Sequence, residues 1–383
     1  MTTTVLPPSI APSSIEERAL LDPRNRDLLE TLLREGPESV PAPVAITVDL
    51  THACNNSCPD CIERQPMCAS NHAALTLPTL DRLLSEAAQA GVRAIGLYGG
   101  EPTLHPHFPD VVRYATALQL YLFVVTNGYQ LHKDEVALAL EEASRLGFLD
   151  AVRVSWNSST ASTHSLLHRA ERYFWRMVDA CEQLSRRGVP VSVSFLVEPA
   201  NICEIVPAAC LAGAIGVHGF ALRPKTRAHG EHLISLSPEQ REGILNAIET
   251  VRELAYVNLS VPDWFEEYLH TGQLPDTRKP YTQCPFTALR AVITPPDPGY
   301  IYTCTYWRAD QRFAAGTLPL SQWLRSPARR QAIRRVNPCQ FCNQVICNKH
   351  SAILKIDAWC EHYRATGELP PPQPAPFVPF LFF

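Results

Sequence analysis

A regular alternation between short apolar runs and longer stretches with helical spacing constrains the fold of this 383-residue chain more than any other feature. The apolar runs are rich in β-branched residues and predict strands at residues 45–50, 94–99, 120–126, 151–156, 191–197 and 219–224. Strands joined through helices pair in parallel and are connected by right-handed crossovers. The sequence therefore predicts an α/β fold in which six strands form a partial (β/α)6 barrel or an open doubly wound sheet.

The alternation stops after Pro224, and the flanking segments differ in composition. One helix is expected within residues 15–34 and another at 238–254, and a hairpin is expected at 291–304. The last residues are rich in proline and predict an extended tail. We therefore expect an N-terminal extension, the α/β barrel, a helical connector, a small Cys-rich α+β domain and a tail, at residues 1–42, 43–235, 236–280, 281–363 and 364–383.

Composition and charge narrow the class of protein. The formal charge of −4 offers no basic excess for nucleic acid, and no apolar run approaches the roughly 18 residues of a membrane span. The first residues lack the basic and apolar regions of a secretory signal. We expect a cytoplasmic protein that binds neither nucleic acid nor membrane. The 13 cysteines are odd in number and bunched, which favours metal or cluster ligands over disulfides.

The first group of cysteines directly follows the first predicted strand. Cys54, Cys58 and Cys61 have the spacing CxxxCxxC. Three thiolates on a tight loop can hold three irons of a 4Fe–4S cluster and leave the fourth iron open to a substrate. A zinc knuckle without its fourth ligand, or three ordinary buried thiols, would give the same spacing. The position favours a cluster, since loops at the carboxyl ends of parallel strands carry the chemistry of α/β enzymes.

A second motif, Gly99-Gly100-Glu101-Pro102, follows the second predicted strand. Two glycines let backbone groups approach a ligand closely, and the carboxylate can pair with an ammonium group. The alternative is a helix start, because Glu101 would favour the positive end of a helix and Pro102 suits the first turn.

Cysteine loop and GGEP motif, in this order on successive strands, resemble the radical S-adenosylmethionine (SAM) superfamily. Thr126-Asn127-Gly128 resembles the family's TNG after strand three. The segment after strand four resembles the family's S-x-D-G-x-T…H…R pattern, with matches at Ser155, Thr160, His164 and Arg169 and with Asn157 at the position of the Asp. The resemblance covers residues 44–225 and implies a radical SAM barrel with a 4Fe–4S cluster and SAM.

The resemblance also implies roles for individual residues. Gly99, Gly100, Glu101 and Pro102 would hold the methionine amino group of SAM. Ser155 and Asn157 would lie near its ribose or carboxylate, and Arg169 would pair with the carboxylate. Alternatively, Ser155 and Asn157 form a turn after the strand, and Arg169 is a solvated charge on a helix. The sequence departs from the family pattern at two places. Asp60, directly before the third cysteine, replaces the usual aromatic residue, and Asn157-Ser158 replaces Asp-Gly. We therefore expect altered contacts with the adenosine of SAM.

The second group of cysteines lies in the C-terminal segment, at Cys284, Cys304, Cys339, Cys342, Cys347 and Cys360. It resembles the SPASM extension of radical SAM enzymes, with one residue fewer in its middle block, so that the next expected cysteine falls beside Ser351. In that arrangement, one cluster would be bound by the last four of these cysteines. The shorter twitch form would instead use Cys284, Cys304, Cys339 and Cys342. We expect at least one auxiliary 4Fe–4S cluster, with zinc as the alternative.

These resemblances imply an enzyme that reductively cleaves SAM to a 5′-deoxyadenosyl radical and abstracts a hydrogen from its substrate. An oxidative modification of a peptide or a small metabolite is expected, with electrons from a flavodoxin- or ferredoxin-type donor. The alternatives are an enzyme of sugar, aminocyclitol or nucleoside biosynthesis and a non-catalytic iron–sulfur or zinc scaffold. The N-terminal segment of about 40 residues is expected to be too short for an independent peptide-binding domain. No general acid or hydrogen donor is assigned.

Overall fold

The structure, a computed structural model, describes most of the chain. The described residues are 15–59, 61, 72–169, 173–227, 232–233, 235–274, 284–308, 311–335 and 350–370. Within these ranges the helices and strands alternate as predicted through the first two hundred or so residues. Asp60, Cys68, Cys339, Cys342 and Cys347 lie outside the described residues.

Six parallel strands form the centre of the sheet and follow one another in chain order. They are β1 (Ala45–Asp49), β2 (Ala94–Tyr98), β3 (Tyr121–Thr126), β4 (Leu149–Ser155), β5 (Val191–Val197) and β6 (Gly219–Pro224). Each neighbouring pair is parallel, as expected for strands that are connected through helices. The six predicted strands and the α/β class are thereby confirmed, with strand ends that differ by at most two residues.

Six further strands were not all expected. A small antiparallel pair is formed by β7 (Thr226–Arg227) and β8 (His232–Leu233). The others are β9 (Asn258–Ser260), β10 (Arg290–Thr294), β11 (Tyr300–Tyr302) and β12 (Gly316–Thr317). The predicted hairpin is found as the antiparallel pair β10–β11, and β10 itself pairs in parallel with β1.

The large sheet therefore has the order β12-β11-β10-β1-β2-β3-β4-β5-β6-β9. Within the described ranges its end strands, β12 and β9, do not pair with each other, so the strands form an open sheet and not a closed barrel. Strand β9 lies in the expected connector and β10 in the expected C-terminal domain, yet both extend the central sheet. The division into five segments stays a prediction.

Fourteen α-helices are found in the described part of the chain. They are α1 (Ile15–Leu20), α2 (Arg26–Glu35), α3 (Leu77–Gln89), α4 (Phe108–Ala117), α5 (Asp134–Arg145), α6 (Ala161–His168), α7 (Phe174–Arg186), α8 (Ile205–Ala214), α9 (Pro238–Leu254), α10 (Asp263–Thr271), α11 (Phe286–Leu289), α12 (Leu320–Arg325), α13 (Pro327–Arg335) and α14 (His350–Thr366). The single helix expected at 15–34 is wrong: Asp22 caps a short 3-10 turn that begins at Pro23 and separates α1 from α2.

Two apolar cores hold these layers together. The larger one fills the space between the sheet and the helices that connect its strands. The smaller one joins α1, α2, α11 and α14 to the amino-terminal ends of β1 and β2. Helices from both ends of the described chain thus cover the end of the sheet that is opposite to the carboxyl ends of its strands.

Candidate functional site

The cysteines of the CxxxCxxC motif lie on the loop that follows β1. The thiol of Cys54 interacts electrostatically with the thiols of Cys58 and Cys61. The backbone N–H of Cys61 donates to the carbonyl of Cys58 at 3.4 Å, and the N–H of Asn56 donates to the sulfur of Cys54 at 3.4 Å. The loop therefore brings three sulfur atoms together at the carboxyl end of a central parallel strand.

The chemistry of this donor set can be compared with the predicted cluster. Burial raises the pKa of Cys54 to about 12 and that of Cys58 to about 11, so the thiols keep their protons at neutral pH until a metal displaces them. Among the described residues, no three His, Cys, Asp or Glu side chains form a group that could hold one metal ion. A cubane cluster binds each thiolate at a separate iron. The loop fits such a cluster, and its three cysteines stay the predicted ligands.

The two glycines after β2 lie directly against the cysteine loop. The N–H of Gly100 donates to the carbonyl of Thr51 at 2.8 Å, and the N–H of Glu101 donates to the carbonyl of Ala53 at 2.7 Å. A Cβ atom on Gly100 would lie 2.4 Å from the carbonyl oxygen of Ala53. Gly99 has a φ of +139°, which side chains rarely adopt. The glycines are therefore needed for the approach of two protein backbones, in addition to the predicted approach of a ligand.

Glu101 has a buried carboxylate, 1% exposed, that accepts several hydrogen bonds. Its Oε1 accepts the hydroxyl of Thr126 at 2.6 Å and the N–H of Thr103 at 3.1 Å, and its Oε2 accepts the N–H of Asn127 at 2.6 Å. Burial raises the pKa of Glu101, and these hydrogen bonds oppose the rise. The carboxylate caps the 3-10 turn Pro102–Leu104, as the helix-start alternative expected. Its contact with a SAM amino group stays a prediction.

The TNG motif also reaches the cysteine loop. The side-chain amide nitrogen of Asn127 donates to Oδ1 of Asn55 at 2.7 Å and lies 3.9 Å from the sulfur of Cys54. Through Glu101 the same residue is tied to β2. The structure therefore brings together the ends of β1, β2 and β3, as predicted from the order of the motifs.

The polar residues at the end of β4 make contacts within the protein. Oδ1 of Asn157 accepts the N–H of Leu196 at 2.8 Å, and its carbonyl accepts the side-chain amide of Asn201 at 2.9 Å. Ser155 pairs with Ser194 in the β4–β5 register. These contacts place both predicted SAM-binding residues at the carboxyl edge of the sheet, and their contact with SAM stays a prediction.

Sequence reasoning selected Arg169 from the next helix and missed the residue before it. Arg169 is exposed and closes α6 with a φ of +54°. His168 is 4% exposed, and its Nδ1 lies 3.4 Å from the sulfur of Cys58. Its carbonyl also accepts the N–H of Ser57 at 3.3 Å. The available signal was the spacing of four between His164 and His168, which places both on one face of a helix.

His168 and its neighbour are electrically neutral at physiological pH. Burial, with smaller contributions from His164 and Lys225, lowers the pKa of His168 to about 3. Burial lowers the pKa of His164 to about 4. The two rings stack with centroids 4.4 Å apart, and Nε2 of His164 is hydrogen-bonded to the hydroxyl of Tyr129 at 2.6 Å. Helix α6 thus supplies an uncharged aromatic wall beside the cysteine loop.

Glu204 fixes the start of this helix and was also missed by the sequence analysis. Its carboxylate accepts the N–H groups of Ser159 at 2.5 Å and Thr160 at 3.2 Å, and it accepts the hydroxyl groups of Ser159, Thr160 and Thr163. Burial raises the pKa of Glu204, but these hydrogen bonds outweigh burial and hold the pKa below its usual value. A single glutamate from another strand connection therefore anchors α6, which carries His168.

Three cysteines of the C-terminal set lie in described residues. Cys284 precedes α11, Cys304 follows β11, and Cys360 lies in α14. Cys284 and Cys360 are both half-buried beside the smaller apolar core. Because the other three predicted ligands lie outside the described residues, the auxiliary cluster and its ligand set stay predictions.

The family model "Radical SAM superfamily" matches residues 48–207, which contain the cysteine loop, GGEP, TNG and helix α6. This segment is a radical SAM domain. The predicted resemblance is confirmed, and a 4Fe–4S cluster and SAM are the cofactors that this superfamily uses.

Relatives of the radical SAM domain include two enzymes of different kinds. A PqqA peptide cyclase from Methylobacterium nodulans is 27% identical over 60% of this chain and 61% of its own. An AdoMet-dependent heme synthase from Methanosarcina barkeri is 30% identical over 54% of this chain and 57% of its own. The match therefore spans less than two thirds of either relative.

A similar fold is found in a solved structure. Streptococcus suis SuiB bound to the precursor peptide SuiA has a TM-score of 0.60 over 80% of this chain and 69% of SuiB, at 13% identity. At this identity the likeness concerns the fold. None of the helices in the described parts of the chain is long and apolar enough to cross a membrane.

Proposed function

We propose that this protein is a radical SAM enzyme that oxidatively modifies a peptide. The observation that carries the proposal is the backbone contact between the cysteine loop and the GGEP motif, in which Gly100 and Glu101 donate to carbonyls of the loop. This contact joins a three-thiol donor set to a glycine cradle through backbone hydrogen bonds. When bound, the cluster supplies the electron that cleaves SAM to methionine and a 5′-deoxyadenosyl radical, which takes a hydrogen atom from the substrate.

The residues of the chain have separate tasks in this proposal. Cys54, Cys58 and Cys61 bind the cluster. The cradle Gly99–Pro102 holds the methionine amino group of SAM, and the ends of β4 and α6 lie toward its ribose and carboxylate. The parallel sheet brings these groups together because its strands all end at one edge. Buried side chains such as Glu101 and His168 keep water from the centre.

A peptide substrate is supported by two of the comparisons. The relative from Methylobacterium nodulans is named for cyclising a peptide, and the fold of SuiB was solved with a precursor peptide bound. An auxiliary cluster bound by cysteines of the C-terminal set would take up the electron that an oxidative modification releases. We further propose that the protein works in the cytoplasm and receives electrons from a flavodoxin- or ferredoxin-type donor.

A small-molecule substrate is the second candidate. The heme synthase from Methanosarcina barkeri has the higher identity of the two relatives, 30%, and is not named for a peptide. A heme precursor, or a sugar, aminocyclitol or nucleoside, would occupy the same edge of the sheet. The two candidates share the SAM chemistry and differ only in the substrate that lies against it.

The first experiment tests the reaction class. The protein is reconstituted anaerobically with iron and sulfide, reduced with dithionite and supplied with SAM, beside a triple alanine variant of Cys54, Cys58 and Cys61. We expect 5′-deoxyadenosine from the wild type and none from the variant. Stoichiometric zinc without iron, together with no SAM binding in equilibrium dialysis, would overturn the proposal in favour of a non-catalytic scaffold.

The second experiment tests the substrate class. Synthetic peptides, a porphyrin and a set of aminocyclitols are added separately, and the rate of 5′-deoxyadenosine formation is measured. A substrate accelerates cleavage because it completes the site before the radical forms. We expect acceleration by a peptide and a mass change in that peptide. Acceleration by the porphyrin or an aminocyclitol alone would replace the peptide with a small molecule.

A further inference from the structure

The imidazole of His168 lies between a cysteine ligand of the proposed cluster and an amide at the end of β4. Its Nδ1 is 3.4 Å from the sulfur of Cys58, and its Nε2 is 3.3 Å from Nδ2 of Asn157. The ring is 4% exposed, and it stacks on His164 at 4.4 Å. Both ring nitrogens therefore face fixed protein groups, so the position of the ring proton is decided by those groups.

The amide of Asn157 determines which nitrogen carries the proton. Its oxygen accepts the backbone N–H of Leu196 at 2.8 Å, so its other end, the NH2 group, faces His168. An NH2 group donates, and Nε2 of His168 must therefore accept. A neutral imidazole whose Nε2 accepts carries its proton on Nδ1. The N–H of His168 consequently faces Cys58.

The amide of Asn56 is consistent with the same tautomer. Its side-chain nitrogen, Nδ2, lies 3.4 Å from Nδ1 of His168. Its side-chain oxygen, Oδ1, is buried and has no hydrogen-bond donor among the described residues. Turning this amide so that its oxygen and nitrogen exchange places gives the oxygen a donor in Nδ1–H, which then lies within reach of both this oxygen and the sulfur of Cys58 and is shared between them. Asn157 cannot be exchanged in the same way, because the N–H of Leu196 would then face an NH2 group.

We propose that His168, held as its Nδ1–H tautomer by Asn157, donates a hydrogen bond to the Cys58 thiolate and raises the reduction potential of the bound cluster. The inference rests on the proposed function, since it requires Cys58 to be a cluster ligand. A thiolate only accepts, so the Nδ1–H tautomer is the one that can bond to it. The reduced cluster carries more negative charge on its sulfurs, and a donated hydrogen bond therefore stabilises the reduced form more.

The test compares two variants of His168 in the reconstituted full-length protein without SAM. His168→Asn keeps an N–H near the position of Nδ1, and His168→Leu keeps volume but has no donor. The midpoint potential is measured by redox titration with electron paramagnetic resonance, after subtraction of the signal from the triple alanine variant of Cys54, Cys58 and Cys61. In His168→Leu the ratio of reduced to oxidised cluster at a fixed potential is expected to fall roughly tenfold, about 59 mV for one electron.

The outcomes distinguish a failure of the proposed hydrogen bond from a failure of the proposed function. A potential in His168→Asn that lies nearer the wild type than that of His168→Leu supports the hydrogen bond. Equal potentials in wild type and His168→Leu, or equal shifts in both variants, would overturn it, since packing alone would then explain the result. If the triple alanine variant keeps all iron and signal of the wild type, Cys58 holds no cluster and the proposed function fails as well.

A measurement on the wild type remains decisive should His168→Leu bind no iron. Protein labelled with 15N-histidine is reduced, and pulsed electron paramagnetic resonance is used to detect nitrogen coupled weakly to the cluster. We expect a coupling that disappears in His168→Asn and in the triple alanine variant. The absence of any such coupling in the wild type would overturn the inference.

Discussion

The carboxylate of Glu101 accepts the backbone N–H of Asn127 at 2.6 Å and so joins the ends of two neighbouring strands, β2 and β3. The same carboxylate accepts the hydroxyl of Thr126 and caps the turn that follows β2. Two motifs that are 26 residues apart in the chain therefore form one hydrogen-bonded unit beside the cysteine loop. Glu101 therefore holds the ends of β2 and β3 together, in addition to any contact that it makes with a ligand.

Replacing Glu101 with Gln should destabilise the protein, because an amide nitrogen cannot accept the hydrogen bonds that one carboxylate oxygen now accepts. A buried donor left without a partner costs about 1–3 kcal/mol, and we expect the free energy of unfolding to fall by this amount. Urea unfolding of the wild type and the variant measures it. Glu135→Gln, at an exposed position in α5, is the matched control and should change little. Equal stability of wild type and Glu101→Gln would contradict the structure.

Replacing Gly100 with Ala should disturb the cysteine loop, because the new Cβ would lie 2.4 Å from the carbonyl oxygen of Ala53 and 2.5 Å from that of His52. Relieving such an overlap costs about 1–3 kcal/mol. We expect lower stability and less iron at the cysteine loop. The iron at the loop is the difference in iron content between a protein and the same protein with Cys54, Cys58 and Cys61 replaced by alanine.

The control for Gly100→Ala is Gly243→Ala in helix α9. There the nearest atom to the new Cβ, on Ile202, is 3.7 Å away, and the backbone is helical. Alanine should stabilise this position by about 0.5–1 kcal/mol and leave the iron content unchanged. Loss of iron in both variants would show that the loss is not specific to the contact with the cysteine loop.

Stability should depend on the ionisation of Glu204, which anchors α6. Its folded pKa lies below the unfolded value of about 4.3, because hydrogen bonds from Thr163, Ser159 and Thr160 outweigh burial. The stabilisation is therefore present above that value and is lost as the pH falls through the folded pKa. At pH 7 we expect Glu204→Gln to lose about 1–3 kcal/mol in urea unfolding.

The difference between wild type and Glu204→Gln should shrink when unfolding is repeated at successively lower pH below about 4. The exposed Glu242 in α9 provides the control, since Glu242→Gln should show no such dependence. A difference that stayed constant from pH 7 to pH 3 would contradict the assignment of Glu204 as the ionised anchor.

The C-terminal cysteines should bind a second cluster, and single variants distinguish its two possible ligand sets. In the triple alanine background of the first loop, about four irons should remain for one auxiliary cluster and about eight for two. Loss of this iron in Cys360→Ala, with Cys284→Ala unaffected, supports the SPASM-type set. The reverse result supports the twitch-type set. No remaining iron in the triple variant would contradict an auxiliary cluster.

The sequence predicted the central strands well because they are short, mostly apolar runs that are largely buried, and local composition records such burial. Strand β9 was missed, since its residues Asn258–Ser260 are half-buried to exposed and only three in number. The N-terminal helix was predicted as one segment, although residues 22–25 have the sequence Asp-Pro-Arg-Asn and no apolar spacing. A proline and an aspartate cap there divide it.

The sequence predicted the site residues that lie close together in the chain. It missed those that are distant in the chain and come together only in the folded protein. Cys54, Cys58 and Cys61 follow one another on one loop, and their spacing was enough to select them. His168 and Glu204 were missed because their importance depends on which strands and helices lie side by side. Nothing in the sequence near Glu204 indicates that it reaches the start of α6, 41 to 45 residues earlier in the chain.

The sequence by itself therefore determined the α/β class, the positions of the central strands in the chain and the cysteine and glycine motifs of the radical SAM domain. These features are set by interactions between residues close together in the chain, which leave periodicity and spacing as their record. The tertiary structure decided that β9 and β10 extend the sheet, that Glu101 joins GGEP to TNG, and that His168 lies against Cys58. Those contacts depend on the three-dimensional packing of distant segments, which no local pattern records.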